Sequence, residues 1–327
     1  MYGIETWHVR QVDGTLIRVQ GQCFGPQKEA LYPTELYSFQ ADSTACRLTE
    51  HGGQLSTSSL CTVQPIHTKA SDGASLTGIL LIPRNDSAWT GAEKPPAAVG
   101  MHGGPYVRIN CTFNIPQYHW GPWLASLGYV IILPNYRGSS SQGEEFAIEV
   151  GGAVGKKDYE DTIIITKAVI HEGLVDPNRV AIGSWSQGGF LSYLSAVQED
   201  QFQFRAAVCG AGVTDWDMLI NSSDFLVLEQ ELAGGAPWIK SKNPTKGREG
   251  SALWHIKHLK TPVLLLHGEA DQRVPVSQAI AFRRASEYYG NDFEMTTYPD
   301  AKHNIDERAY RSDMLFRIKA FLEKHMS

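Results

Sequence analysis

Cysteine is scarce and scattered. The five at Cys23, Cys46, Cys61, Cys111 and Cys209 are an odd number, widely spaced and without a CxxC pair. That excludes a dense disulfide framework and a zinc ribbon, and leaves buried thiols as the expected state. Basic runs are missing as well. With 29 Lys plus Arg against 35 Asp plus Glu, the formal net charge is −6, and no basic cluster marks a nucleic-acid groove or an anionic membrane surface. No apolar run is long enough to span a bilayer, and the start, Met1-Tyr-Gly-Ile-Glu-Thr-Trp-His8, lacks the charged and apolar regions of a signal peptide. The expectation is a soluble cytoplasmic protein with no nucleic-acid and no membrane partner. Sequons at Asn85, Asn110 and Asn221 carry little weight without a secretory signal.

What is present suits a globular enzyme-sized chain. Its 327 residues, 42% of them hydrophobic, allow one large α/β domain with a smaller piece left over. Residues 1–65 read as short strands, among them His8–Val12, Thr15–Val19, Glu35–Phe39 and Cys46–Thr49, punctuated at Asp13-Gly14 and Gly52-Gly53. So short an all-β piece buries little surface alone, and its unpaired edges make a homo-oligomer one way of covering it. From about residue 66 to 327, apolar strand-like runs alternate with helical ones, which predicts βα units and a mainly parallel sheet. Strands are expected at Leu76–Pro83, Ala97–His102, Val130–Pro134, Val180–Ser184, Ala206–Gly210, Val263–Gly268 and Phe293–Tyr298. Helices are expected from Asp158 toward Gly173 and over Asp313–His325. The irregular stretch from Asp217 to Leu253 is where a lid over a site could sit.

The stretch Val180-Ala-Ile-Gly-Ser-Trp-Ser186-Gln-Gly-Gly-Phe190 organises the rest: an apolar run enters a small-residue turn around one serine, with helical sequence beyond. In a nucleophile elbow that geometry lifts a serine hydroxyl out of the sheet, and small neighbours let the turn and helix pack closely. By itself such a cluster is as readily an ordinary strand-to-helix turn. A serine hydroxyl also needs a base to take its proton and a carboxylate to orient that base. Asp271 follows a buried strand, and His303 lies in the loop between the last expected strand and the last helix, so the chain order is serine, acid, histidine. Asp300, Asp306 and Glu269 are rival acids, but only Asp271 stands at a strand end in a turn shaped by Gly268 and Pro275. His102 and His267 are rival bases, each before a glycine in a turn where histidine more often caps or packs. His102-Gly-Gly104-Pro ends an early strand in glycines whose N–H groups, with that of Gln187, would form an oxyanion hole. The expected architecture is the α/β-hydrolase fold.

On these motifs, together with Leu133-Pro-Asn-Tyr-Arg-Gly-Ser139, Val213-Thr-Asp-Trp216 and His267-Gly-Glu-Ala-Asp-Gln-Arg-Val-Pro275, residues 66–327 resemble the prolyl oligopeptidase family of serine peptidases, in the branch of acylaminoacyl-peptidases and dipeptidyl-peptidases. The resemblance implies Ser186, Asp271 and His303 as the triad, Gln187 and Gly104 as oxyanion donors, and Arg273 as the cation binding a substrate carbonyl. It suggests Val274 and Trp216 as pocket walls, and implies no metal or organic cofactor. Ser184 stands where the family has glycine, Gln187 where tyrosine is common, and Lys302-His303 where Gly-His is usual. Family members carry a long β-propeller before the hydrolase domain, and residues 1–65 resemble its last blade. The expected substrate is a peptide, an acylated amino acid or an ester. The expected activity is a serine peptidase, with an esterase or biosynthetic acyl hydrolase, and a non-catalytic binding module, as alternatives.

Overall fold

A computed structural model describes residues 8–12, 15–19, 37–39, 45–50, 61–84, 94–110, 120–140, 142–198, 201–239 and 246–327. Cys23, Cys111, the Asn85 sequon, Glu35, Leu36 and the Asp13-Gly14 and Gly52-Gly53 turns lie outside these residues. Strands β1 (His8–Val12), β2 (Thr15–Val19), β3 (Tyr37–Phe39) and β4 (Ala45–Arg47) pair antiparallel in sequence order.

The second sheet starts with a hairpin, β5 (Cys61–Lys69) and β6 (Ser75–Pro83), paired along the full length of β5. The expected boundary near residue 66 therefore falls inside a strand. Ser71-Asp-Gly73 forms the turn of this hairpin: Gly73 N donates to Ala70 O and takes φ +88°, a conformation glycine adopts without strain. Beyond it come β7 (Ala97–Val99), α1 (Gly121–Ser126), β8 (Val130–Asn135), α2 (Glu144–Ile148), α3 (Lys157–His171), β9 (Val180–Trp185), α4 (Gln187–Val197) and β10 (Ala206–Gly210). The excursion after β10 is built from α5 (Trp216–Ile220), α6 (Leu226–Ala233), α7 (Lys246–Glu249) and a 3-10 turn at Ala252–His258. Last are β11 (Val263–Gly268), α8 (Ser277–Tyr289), β12 (Phe293–Tyr298) and α9 (Arg308–Met326).

The eight strands lie in the order β12-β11-β10-β9-β7-β8-β6-β5. From β8 to β12 every pairing is parallel, and only β6 and β5 run antiparallel. This is the α/β-hydrolase sheet. Side chains alternate between its faces with the period of two that a pleated strand imposes. In β8, Val130 and Ile132 join a core cluster with Ile163 of α3, Phe190 of α4 and Phe282 of α8. Ile131 and Leu133 join the opposite cluster with Leu124 of α1 and Met314, Ile318, Phe321 and Leu322 of α9. That α9 stripe has helical spacing, with its apolar face laid on the sheet. The helix opens at Arg308, five residues ahead of the expected Asp313, because its first turn sets only Ala309 and Tyr310 among charged residues and gives too short an apolar pattern to read. β7 closes at Val99 instead of reaching His102, whose ring turns out of the sheet toward Ser139.

Candidate active site

β9 delivers Ser186 into a sharp turn. The residue takes φ 60° and ψ −124°, a backbone state that costs a non-glycine residue about 1–3 kcal/mol and needs its surroundings to hold it. Ser186 N donates to Gly210 O at 2.9 Å, locking the turn to the end of β10. A Cβ on Gly188 would collide with Met101 O and stand 2.6 Å from Ser184 Oγ, and one on Gly189 would strike Gly210 O. Those two glycines let α4 start directly against the sheet. Ser184, at the position where a glycine was expected, is absorbed by a hydrogen bond: its Oγ donates to Met101 O beyond the end of β7.

Ser186 Oγ lies 2.9 Å from His303 Nε2, and His303 Nδ1 lies 2.7 Å from Asp271 Oδ2. The other carboxylate oxygen of Asp271 accepts from the backbone N–H groups of Arg273 (2.9 Å) and Val274 (3.0 Å), which aims Oδ2 at the histidine. Asp271 accepts from His303 Nδ1–H, so His303 Nε2 is left to receive the serine proton. Burial pushes the Asp271 carboxyl upward, yet hydrogen bonds and charge from His267 and His303 outweigh it and hold its pKa at about 2. His303 is 22% exposed, so the relay opens to solvent at the base.

The rival residues are occupied elsewhere. Glu269 accepts from Thr297 Oγ1 at 2.6 Å, Asp306 pairs with Arg311 at 2.8 Å, and Asp300 is exposed with φ 57°. His102 stacks on Tyr136 with its Nε2 2.7 Å from Ser139 Oγ, while Tyr136 Oη donates to His102 O at 2.7 Å. That packing fixes the glycine loop: a Cβ on Gly103 would stand 3.6 Å from Ser186 Cβ, with Gly104 following at φ +126°. Gln187 is the first residue of α4, beside the serine. Val274 contributes backbone as well as bulk, its carbonyl accepting from buried His267 Nε2 at 2.7 Å. Trp216 sits in the core, edge-on to Phe190, and presents no open wall. Arg273 lines a cleft with His303, Lys302, Asn304 and Asp306. Two residues have supporting contacts that the sequence reading did not assign. Trp185 Nε1 donates to His303 O at 2.9 Å, and His267 braces the acid's turn. Both lie inside the quoted motifs, but nothing in their local pattern distinguishes a brace from a packed ring. Among the described residues no group of three or more His, Cys, Asp or Glu is arranged to hold a metal, and no helix is long and apolar enough to cross a membrane.

A parallel sheet with a strained serine between β9 and α4, hydrogen-bonded to a histidine and through it to a buried aspartate, defines the class of α/β-hydrolase serine enzymes. Residues 117–327 match the prolyl oligopeptidase family, and the chain belongs to that family. It is 26% identical over 305 residues to the uncharacterized peptidase YuxL of Bacillus subtilis, covering 90% of this chain and 44% of that protein. It is 30% identical over 241 residues to acylamino-acid-releasing enzyme 2 of Oryza sativa subsp. japonica, covering 71% of this chain and 30% of the relative. Among solved structures, Pyrococcus horikoshii acylaminoacyl peptidase aligns with a TM-score of 0.80 at 25% identity, over 98% of this chain and 48% of that one. The chain thus spans less than half the length of these relatives.

Proposed function

We propose that the chain is a serine hydrolase of the acylaminoacyl-peptidase type, cleaving peptide or acyl-amino-acid bonds through an acyl-enzyme on Ser186. The observation that carries this reading is the unbroken Ser186–His303–Asp271 relay. Ser186 Oγ attacks the carbonyl carbon while His303 Nε2 takes its proton. Asp271 holds the imidazole and stabilises the imidazolium that forms. The N–H groups of Gln187, at the start of α4, and Gly104 receive the oxyanion. His303 then protonates the leaving amine, and a water activated by the same base releases the acyl group. Arg273 holds a substrate carbonyl at the rim of the cleft.

We further assign the strands before Cys61 to a separate β segment that resembles one propeller blade, and place the division ahead of β5, because β5 belongs to the hydrolase sheet. Covering of the segment's edges by a second copy and a cytoplasmic setting belong to the same reading, the latter supported by the buried thiols of Cys61 and Cys209.

The test is a matched panel of kcat/KM values on the protein and on Ser186→Ala: an N-acetyl-aminoacyl anilide, its free-amine counterpart, an unblocked dipeptidyl anilide and a short-chain aryl ester. Preference for the acetylated anilide, with a loss of roughly a millionfold in Ser186→Ala, is expected. Ester turnover alone would move the assignment to an esterase.

A further inference from the structure

The loop between α5 and α6 is fastened to the acid's turn by four contacts that the relay does not need. Asp224 Oδ1 accepts from Arg273 Nε at 2.6 Å, and the Arg273 guanidinium lies over the Phe225 ring at 4.5 Å. Asp224 N donates to Gln272 O at 3.1 Å, and Ser223 Oγ donates to Arg273 O at 2.8 Å. Arg273 is therefore held by its own backbone, by an ion pair at Nε and by a ring beneath it. The ion pair uses Nε and leaves the two terminal nitrogens outside it, and Arg273 lines the cleft together with His303.

The loop itself is fixed through one hydroxyl, that of Ser223. Ser223 Oγ has two acceptors in reach, Arg273 O at 2.8 Å and Glu229 Oε1 of α6, and shares its one proton between them. Phe225 N donates to the same hydroxyl oxygen at 3.2 Å, so Ser223 ties the loop's own backbone to α6 and to the acid's turn at one point. Burial raises the Glu229 pKa against the lowering effect of its hydrogen bond from Ser223, and its Oε2 is buried without a partner among the described residues. The facing charges are Asp224 and Arg273.

We infer that Asp224 is a positioning residue that presents the Arg273 guanidinium to substrate across the mouth of the cleft, on a loop that Glu229 anchors through Ser223. The inference rests on the reading of Arg273 as the carbonyl-binding cation. Both members of the pair are nearly half exposed, so the pair adds little to stability. Its consequence is orientation: an arginine restricted to few rotamers loses less freedom when substrate arrives.

Two measurements test it. In protein carrying ¹⁵N-arginine, the Arg273 Nε–H exchanges roughly tenfold more slowly than an exposed arginine, and Asp224→Asn abolishes that protection. Glu229→Gln, whose amide oxygen still accepts from Ser223, retains it, and Glu229→Leu does not. In turnover of the acetylated anilide, Asp224→Asn raises KM roughly fivefold with kcat within about twofold, and Asp224→Glu restores part of the difference. Unchanged exchange in Asp224→Asn overturns the inference. So does a lower KM, which would mean that Asp224 sequesters the arginine. Fluorophosphonate labelling of Ser186 examines the chemistry separately, so a protein that labels but turns over no peptide loses the proposed function while the exchange rates still decide the brace.

Discussion

At the residue scale, the candidate site depends on one carboxylate being both buried and charged. Asp271 remains ionised because two backbone N–H groups and two histidines face it. Its folded pKa lies below the usual carboxylate value, so its contribution to stability is present above about pH 4 and is lost as pH falls toward 2. Replacing Asp271 with Asn keeps the shape but offers an N–H where His303 needs an acceptor. We expect kcat to fall by about 10⁴ with the fold intact, measured by anilide turnover beside a far-ultraviolet circular dichroism spectrum. The grouping of Ser186, Asp271 and His303 was legible in the sequence because each stands at or just past a strand end, where a parallel sheet gathers its loops. The supporting contacts were not legible: Trp185 to His303 O spans 118 residues and Arg273 to Asp224 spans 49, and no local pattern encodes such a pair.

At the scale of elements, strands of the parallel core other than β7 could be bounded within a residue because they are short apolar runs between glycine, proline and polar turns. β5 escaped notice because alternate residues face solvent on an edge strand, and its pattern merges with the polar β segment before it. The long helix α3 carries a less visible feature. Asp158, in its first turn, is fully buried and accepts from Gly155 N at 3.1 Å and Tyr159 N at 3.0 Å. Burial raises its pKa more than these donors lower it, to about 7. The unfolded carboxyl loses its proton near 3.8 while the folded one keeps it, so the fold loses stability as pH rises from about 4 to about 7 and levels off above. The slope is about 1.4 kcal/mol per pH unit from this group. Asp158→Asn cannot ionise, so the difference in urea-unfolding free energy between variant and parent should shift by roughly 3 kcal/mol in favour of the variant between pH 5 and pH 8. A constant difference across that range would show Asp158 to be charged throughout.

On the scale of the whole molecule, the antiparallel hairpin must be joined to the parallel half that carries the relay, and one buried cation makes the joint. Arg137, just past β8, is 1% exposed. Its Nη2 and Nε donate to Asp161 of α3 at 2.6 and 2.8 Å, and its backbone N donates to the same carboxylate at 2.8 Å. Nη1 reaches Asp72 in the β5–β6 turn and Glu149 after α2 at 3.3 Å. The residues on either side of Arg137 serve the site, for Tyr136 and Ser139 hold His102 and with it the glycine loop beside Ser186. A charge buried this deeply is weak support for stability while the pair is whole and expensive to orphan. Arg137→Met therefore leaves Asp161 without its side-chain donors and should cost about 3–5 kcal/mol in urea unfolding, whereas adding Asp161→Leu should return most of that loss. The two variants separate the joint's roles. If the double variant regains stability yet labels slowly at Ser186, the ion pair sets the position of the glycine loop. If stability and labelling return together, apolar packing at the joint serves the site equally well.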